Sequence, residues 1–480
     1  MRKAFVGLMA GVQLLAAGTA TAQSPAAPQS PAARQSPAAL QSPAAPPASG
    51  VEASRAPSAD GSGQLVFWQR LGDTTLARLT AEALRANRDV VVAEARVRQA
   101  RAARANAKLD LAPTITVAGG YTRQRSSSAA FGLAIPERDL WDAGLRADWE
   151  LDVFGRVRRT LRGHTALAQA AGEDVRDVQR VIAAELASAY FDLRGAQDQL
   201  DVARRNAENQ RRTLQLTRDR LDAGRGNAFD TERAQAQLST TLASVPTLES
   251  RTAAAGHRIG VLIGRDPTAV GAELAGPCAL PALPDVAPGQ VDSLIRSRPD
   301  VRAAERRLAA ETAFVGAAKA DYLPRFSVGG TAGFTSTGFD SLGRTGSGRF
   351  AVGPVISWPA FNLGRVKAGV DAARALEAEA RARQEQTVLL AREEVETALV
   401  AYAKARERLT QLTEAADASG RAAELARIRF EGGVADFLQV LDAERSLLAT
   451  QDQLAQGRTD AVTALVAVYR ALGGGEPPAG

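Results

Sequence analysis

Residues 140–159 read LWDAGLRADWELDVFGRVRR, and the pattern changes partway through. Trp141, Ala143, Leu145, Ala147, Trp149, Leu151 and Val153 fall on one face of a period of two. Asp142, Arg146, Asp148, Glu150 and Asp152 fall on the other, which is the alternation of a half-buried strand. Past Gly155 and Arg156 the period lengthens. Small or apolar residues then return every three or four positions, at Val178, Ile182, Leu186, Ala189, Leu193, Ala196 and Leu200. That spacing is a coiled-coil seam. No proline interrupts from Arg156 to Gly224, which at about 1.5 Å per residue predicts roughly 100 Å of helix.

The change of pattern occurs twice. Asp89, Glu94, Lys108, Asp110, Pro113, Val117 and Gly119 recur 211 positions later as Asp300, Glu305, Lys319, Asp321, Pro324, Val328 and Gly330. Trp149, Gly155, Arg156 and Val157 recur 209 positions later as Trp358, Gly364, Arg365 and Val366. A period of about 210 residues is too long for a solenoid unit of about 20–50 residues and reads as a duplicated half. The second long seam runs through Val388, Ala391, Val395, Leu399, Tyr402, Leu409 and Ala416. Glycines end both helices, at Gly224 and at Gly432-Gly433, and a second helix runs back from each, over about 229–263 and 436–472. The expected organisation is a first repeat at 63–265, a proline-dense connecting segment at 266–290, a second repeat at 291–472 and a flexible tail at 473–480.

Each half also predicts a strand hairpin, 114–123 with 140–153 and 325–335 with 350–358, the strands about ten residues long. That length spans a bilayer when tilted. One face is apolar and the other charged, as suits lipid outside and water inside a barrel. Four strands cannot close, and open edges in lipid leave backbone groups unpaired. Copies of the chain must then share a barrel: three give twelve strands, and two give eight, too narrow for a useful pore. A soluble two-sheet domain is the alternative that the pattern leaves open.

The bulk numbers exclude several classes. Net charge is +6 over 480 residues, with acids and bases interleaved along helical patterns, so a solvated face is expected and no nucleic-acid partner. His164 and His257 have no partners of metal-site spacing, and no nucleophile–base set or phosphate loop is present, so no enzyme, metal or cofactor is expected. Cys278 is the sole cysteine, which excludes an intrachain disulfide and reads as a structural thiol. The start has the form of a secretory signal peptide at 1–22, with cleavage between Ala22 and Gln23 and no cysteine there to carry lipid. Residues 23–62 hold four QSPAA repeats and read as a flexible linker.

Several longer motifs carry a resemblance. DWELDVFGRVRR (148–159), RPDVRAAE (298–305), AKADYLPRF (318–326), GPVISWP (353–359) and GVADFLQVLDA (433–443) stand in the order of the TolC family of outer-membrane channels, and the chain resembles its NodT or OprM-like branch. The resemblance implies a mainly α fold with a β-barrel part. Long helical hairpins would form a periplasmic tunnel, and four strands per protomer would enter a shared twelve-stranded barrel in a homotrimer. It implies an outer-membrane location facing lipid, passive conduction, a periplasmic adaptor and an inner-membrane transporter of the resistance-nodulation-division class. Type I protein secretion or heavy-metal export on the same fold stays open.

It also implies a gate at the hairpin tips. In the family, acidic residues just past the second tip form rings that narrow the closed end. Asp442 matches one such position, the other is Gln439 here, and Asp436 nearer the turn could substitute. Asp436 could equally cap the returning helix. Arg220 and Arg429, at equivalent places in the two halves, are candidates for pairing between helices. The tips at Gly224, Arg225, Gly432, Gly433 and Val434 are where the adaptor is expected to touch.

Overall fold

The computed structural model describes residues 73–125, 136–276, 280–286 and 291–474. The signal peptide with its Ala22–Gln23 junction, the QSPAA linker, Cys278 and the last six residues of the tail lie outside the described residues. In chain order the elements are α1 (Thr74–Ala86), α2 (Arg88–Leu109), β1 (Thr114–Gln124), β2 (Arg138–Glu150), α3 (Arg156–Asp222) and α4 (Ala228–Leu262). After the connecting segment come α5 (Val291–Ser297), α6 (Pro299–Ala320), β3 (Arg325–Ser336), β4 (Gly348–Ser357), α7 (Leu363–Glu431) and α8 (Phe437–Ala471). The helices α3 and α7 have 67 and 69 residues, and α4 and α8 return along them with 35 each. α4 runs on through Pro246, which forgoes one backbone hydrogen bond.

The strands form one antiparallel sheet in the order β1-β2-β3-β4. Thr114 faces Asp148, and their counterparts Arg325 and Ser357 face each other, so both hairpins have the same register. Pairing places Ile115, Val117, Leu145, Val328, Phe334, Val352 and Ile356 on a single face that crosses all four strands. Val117 is 78% exposed and Phe350 84%, so none of the described residues covers that face. On the opposite face Arg146 Nε donates to Asp148 at 2.7 Å and Arg349 Nε to the Thr335 hydroxyl at 2.6 Å.

β2 stops at Glu150, short of the Val153 that alternation predicts. Asp152 has φ +27° and its carboxylate accepts from the amides of Val157 and Arg158 at 2.8 and 2.9 Å. A side chain that caps the following helix cannot also face a strand's polar side, so Val153 lies in the turn, while the Leu151 amide still donates to Phe326 O at 2.8 Å. Gly155, at φ +76°, completes that turn. Each hairpin is also tied back to the helix before it. Trp149 Nε1 donates to the Leu111 carbonyl at 3.0 Å, and its counterpart Trp358 Nε1 to the Tyr322 carbonyl at 3.1 Å.

The main core is a belt where α1, α3, α4, α7 and α8 converge. Leu76, Leu79, Tyr190, Phe191, Ile259, Leu465 and Tyr469 are fully buried there. Each such side chain contributes about 2 kcal/mol of transfer free energy. A charged cluster closes the belt. Arg298, 2% exposed, donates to Ala471 O at 2.6 Å, to Asp300 at 2.7 Å and to Glu394 at 2.8 Å. Arg470 Nε adds a bond to Glu394 at 3.0 Å. Burial pushes the Asp300 and Glu394 carboxyls up, but the hydrogen bonds and charge of Arg298 hold both below the usual carboxylate range. In the first half Asn87 takes the place of Arg298 and donates to Leu262 O, the counterpart of Ala471 O.

Candidate functional site

The two hairpin tips are the same turn built twice. At the first, Gly224 has φ +69° and the amide of Arg225 donates to Arg220 O at 2.8 Å. At the second, Gly433 has φ +74° and the amide of Val434 donates to Arg429 O at 2.9 Å. Both are Schellman closures, in which a left-handed residue lets the chain satisfy the last carbonyls of a helix. The glycine is required at that conformation because a Cβ would strain it. Asn227 then caps α4 by accepting from the Phe229 amide at 2.9 Å, and Asp436 caps α8 by accepting from the Gln439 amide at 3.1 Å. Arg225, Gly432 and Val434 are exposed around these turns.

Above the turns a small core of Leu214, Leu238, Phe430, Phe437, Val440 and Leu441 joins the two hairpins. Arg220 crosses from the first hairpin to the second. Its guanidinium lies 4.0 Å from the centre of the Phe430 ring and donates to Phe430 O at 2.8 Å and Glu431 O at 3.3 Å. A cation there meets the unsatisfied carbonyls and negative pole at the end of α7. Arg220 thus reaches the second hairpin through backbone carbonyls. Arg429, its counterpart, is exposed and its side chain has no partner among the described residues.

Asp442 is exposed, nearly two turns along α8 from Asp436. Its carboxylate has no hydrogen-bond or ion-pair partner among the described residues. Gln439 is likewise exposed, between the two acids. Asp436 holds the capping position, and that bond accounts for its presence at the turn.

Two turns into α8 the structure adds a residue that the sequence did not single out. Glu444 is 5% exposed. It accepts from the Thr213 hydroxyl at 2.8 Å and from Arg427 at 3.2 Å, and so ties α3, α7 and α8 together behind the tip. Arg445, beside it, donates to Gln237 of α4 at 2.8 Å. An acid on a coiled-coil seam with threonine opposite was the available signal. Among the described residues no group of three or more His, Cys, Asp or Glu side chains could hold a metal ion.

The comparisons with known proteins agree with this geometry. The model of the family "Outer membrane efflux protein" matches residues 79–265 and again 291–474. Outer membrane protein OprJ of Pseudomonas aeruginosa is 32% identical over 416 residues, which span 84% of this chain and 85% of that protein. The toluene efflux pump outer membrane protein TtgF of Pseudomonas putida is 31% identical over 409 residues, 84% of each. The solved outer-membrane channel OprN superposes with a TM-score of 0.81 at 43% identity, over 86% of this chain and 92% of that one. Strand hairpins, long helical hairpins and sequence thus point the same way, and the chain belongs to the outer membrane efflux protein family, with the TolC-like fold.

Proposed function

We infer that this chain is the outer-membrane channel of a tripartite efflux pump and conducts small solutes passively to the exterior. The carrying observation is the sheet. It has one apolar face without cover, one charged face and two open edges, and each of its hairpins continues into a helix of nearly 70 residues. Such a sheet is stable in lipid when copies close it into a barrel. Three copies supply twelve strands and a water-filled bore. The homotrimer, the periplasmic adaptor at Gly224, Arg225, Gly432, Gly433 and Val434, and the resistance-nodulation-division transporter behind it belong to this reading. Relatives named for efflux, among them the toluene pump component, support small solutes as cargo.

Asp442 is the residue this reading places at the closed end. An exposed carboxylate repeated around a threefold axis repels its copies and holds cations, which narrows and charges the constriction. The test is single-channel conductance of the purified channel in a planar bilayer. Asp442→Ala raises conductance if the ring sits at the gate, and unchanged conductance ends that assignment. Deletion of the gene should leave the cell more susceptible to exported compounds, restored by the intact chain.

A further inference from the structure

The first half of the chain carries a patch of positive charge beside the sheet that conduction does not use. Arg104 and Lys108 stand four residues apart on one face of α2. Arg104 Nε donates to the Thr165 hydroxyl of α3 at 3.2 Å, which fixes the two antiparallel helices side by side. One turn nearer the sheet from that contact, Lys108 on α2 and Arg162 on α3 stand at the same height. All three cations are exposed, and among the described residues the Thr165 hydroxyl is the one partner that any of their side chains has. The acids of the adjoining turn are taken, Glu150 by Arg156 and Asp152 by Arg158. Asp110, exposed and two residues past Lys108, is the free acid that remains beside the patch.

We propose that Arg104, Lys108 and Arg162 bind the phosphate of an anionic phospholipid in the leaflet on the helix side of the membrane. The proposal rests on the reading of the sheet as part of a barrel in lipid and adds a lipid site at its base.

Height is the first support. The Trp149 indole reaches from the apolar face of β2 to Leu111 O at 3.0 Å, so the connector between α2 and β1 crosses the foot of the face turned to lipid. Leu109, 68% exposed, and Leu111 give that connector an apolar surface. The Leu111 amide donates to Lys108 O at 3.2 Å, which sets Lys108 about one helical turn, 5.4 Å, back from it. The headgroup layer is about 5–8 Å deep on each side of the hydrocarbon, so Lys108 and Arg162 fall within it. Arg104, one turn further, reaches it by extending its side chain along the helix.

The contrast between the two halves is the second support. The internal repeat maps Arg104 to Val315, Lys108 to Lys319 and Arg162 to Asp371. Val315 is buried, and Asp371 is bonded to Lys367 at 2.9 Å, so one free cation is left where the first half has three. A charge kept for solubility alone would have no reason to gather on one half at this height. Three cations around one open position suit a phosphate, which presents several acceptor oxygens.

The test reconstitutes the full chain in bilayers of equal parts phosphatidylglycerol and phosphatidylcholine. The channel is released in mild detergent and weighed with its retained lipids by native mass spectrometry. Phosphatidylglycerol should be retained over phosphatidylcholine by about fivefold or more, the effect of one cation at a charged membrane surface. Arg104→Gln with Lys108→Gln and Arg162→Gln should bring the two lipids to parity, with the helical signal unchanged. Lys319→Gln, in the second half, should leave the preference in place, and Asp110→Asn should strengthen it. Parity in the unaltered chain, or a preference that the triple variant keeps, overturns the site. A loss on Lys319→Gln as large as that of the triple variant overturns it too, because the effect then belongs to the whole collar. Displacement of the lipid by inorganic phosphate would show a site for small anions and overturn the lipid as its occupant. A chain that does not enter the bilayers overturns the channel reading together with the site.

Discussion

The helices α3 and α7 are copies of one sequence pattern in unlike company. α3 buries 28 of its 67 residues and α7 only 8 of its 69. The apolar seam is present in both, so composition does not explain the gap. α3 is surrounded by α1, α2, α4, α6 and α8, whereas α7 meets α5, α6 and α8. Gly195 of α3 shows how close that enclosure is: a Cβ there would lie 2.1 Å from the Thr459 hydroxyl oxygen. The counterpart in α7 is Lys404, which is exposed and bonds to Glu407 at 2.8 Å. The lesson is that burial in this chain reports neighbours, and that α7 is the helix its own chain leaves least covered.

The sharpest way to break this contrast is to enlarge the same position in both helices. Gly195→Leu should cost about 3 kcal/mol or more by overpacking against α8, and Lys404→Leu less than about 0.5 kcal/mol. Thermal unfolding followed by the helical signal decides it, and equal losses would mean that α7 is as enclosed as α3.

The charged belt offers the next comparison. Arg298→Ala leaves Asp300, Glu394 and the Ala471 carbonyl short of a buried partner and should cost about 3 kcal/mol. Asn87→Ala, its counterpart, removes neutral bonds and should cost about 1–2 kcal/mol. The two acids carry a pH signature. Their folded pKa values lie below the ordinary ones, so their contribution is full above the ordinary carboxylate range and is lost as pH falls through the folded values. The unfolding temperature of the intact chain should therefore drop below about pH 4, and the Arg298→Ala chain should lose less over the same interval. Parallel curves would show that the pair does not titrate with folding.

The smallest effect is expected at the tips. Arg220→Ala removes the cation from the end of α7 and should cost about 1 kcal/mol, seen as faster amide exchange over residues 428–434. Arg429→Ala should change exchange little in the monomer. A larger effect in the assembled channel would show that a neighbouring copy gives Arg429 the contact that Arg220 makes at home.

Much of this architecture was legible in residues alone, because two periods are easily told apart. Strand alternation over 141–149 and the seam from Ile182 to Leu200 announced sheet and helix directly. The end of β2 was not legible, since Leu151 and Val153 continue the alternation while Asp152 turns its carboxylate to the helix that follows. Nor was the role of Glu444, which depends on Thr213 and Arg427 arriving from helices that sequence separates widely. Arg298 stood out in the motif RPDVRAAE, but its partners Glu394 and Ala471 O are supplied by packing, not by spacing. The capping of Asp436 was foreseen as one of two roles, because a carboxylate three residues before a free amide is a local matter.

The tryptophans at the foot of the sheet have a mechanical consequence. Because Trp149 holds Leu111 and Trp358 holds Tyr322, each passage between sheet and helix is a cross-braced frame enclosing its strand hairpin. A frame resists swivel where a simple joint would permit it. Torsion delivered along α3 and α7 should thus meet a stiff footing at the sheet.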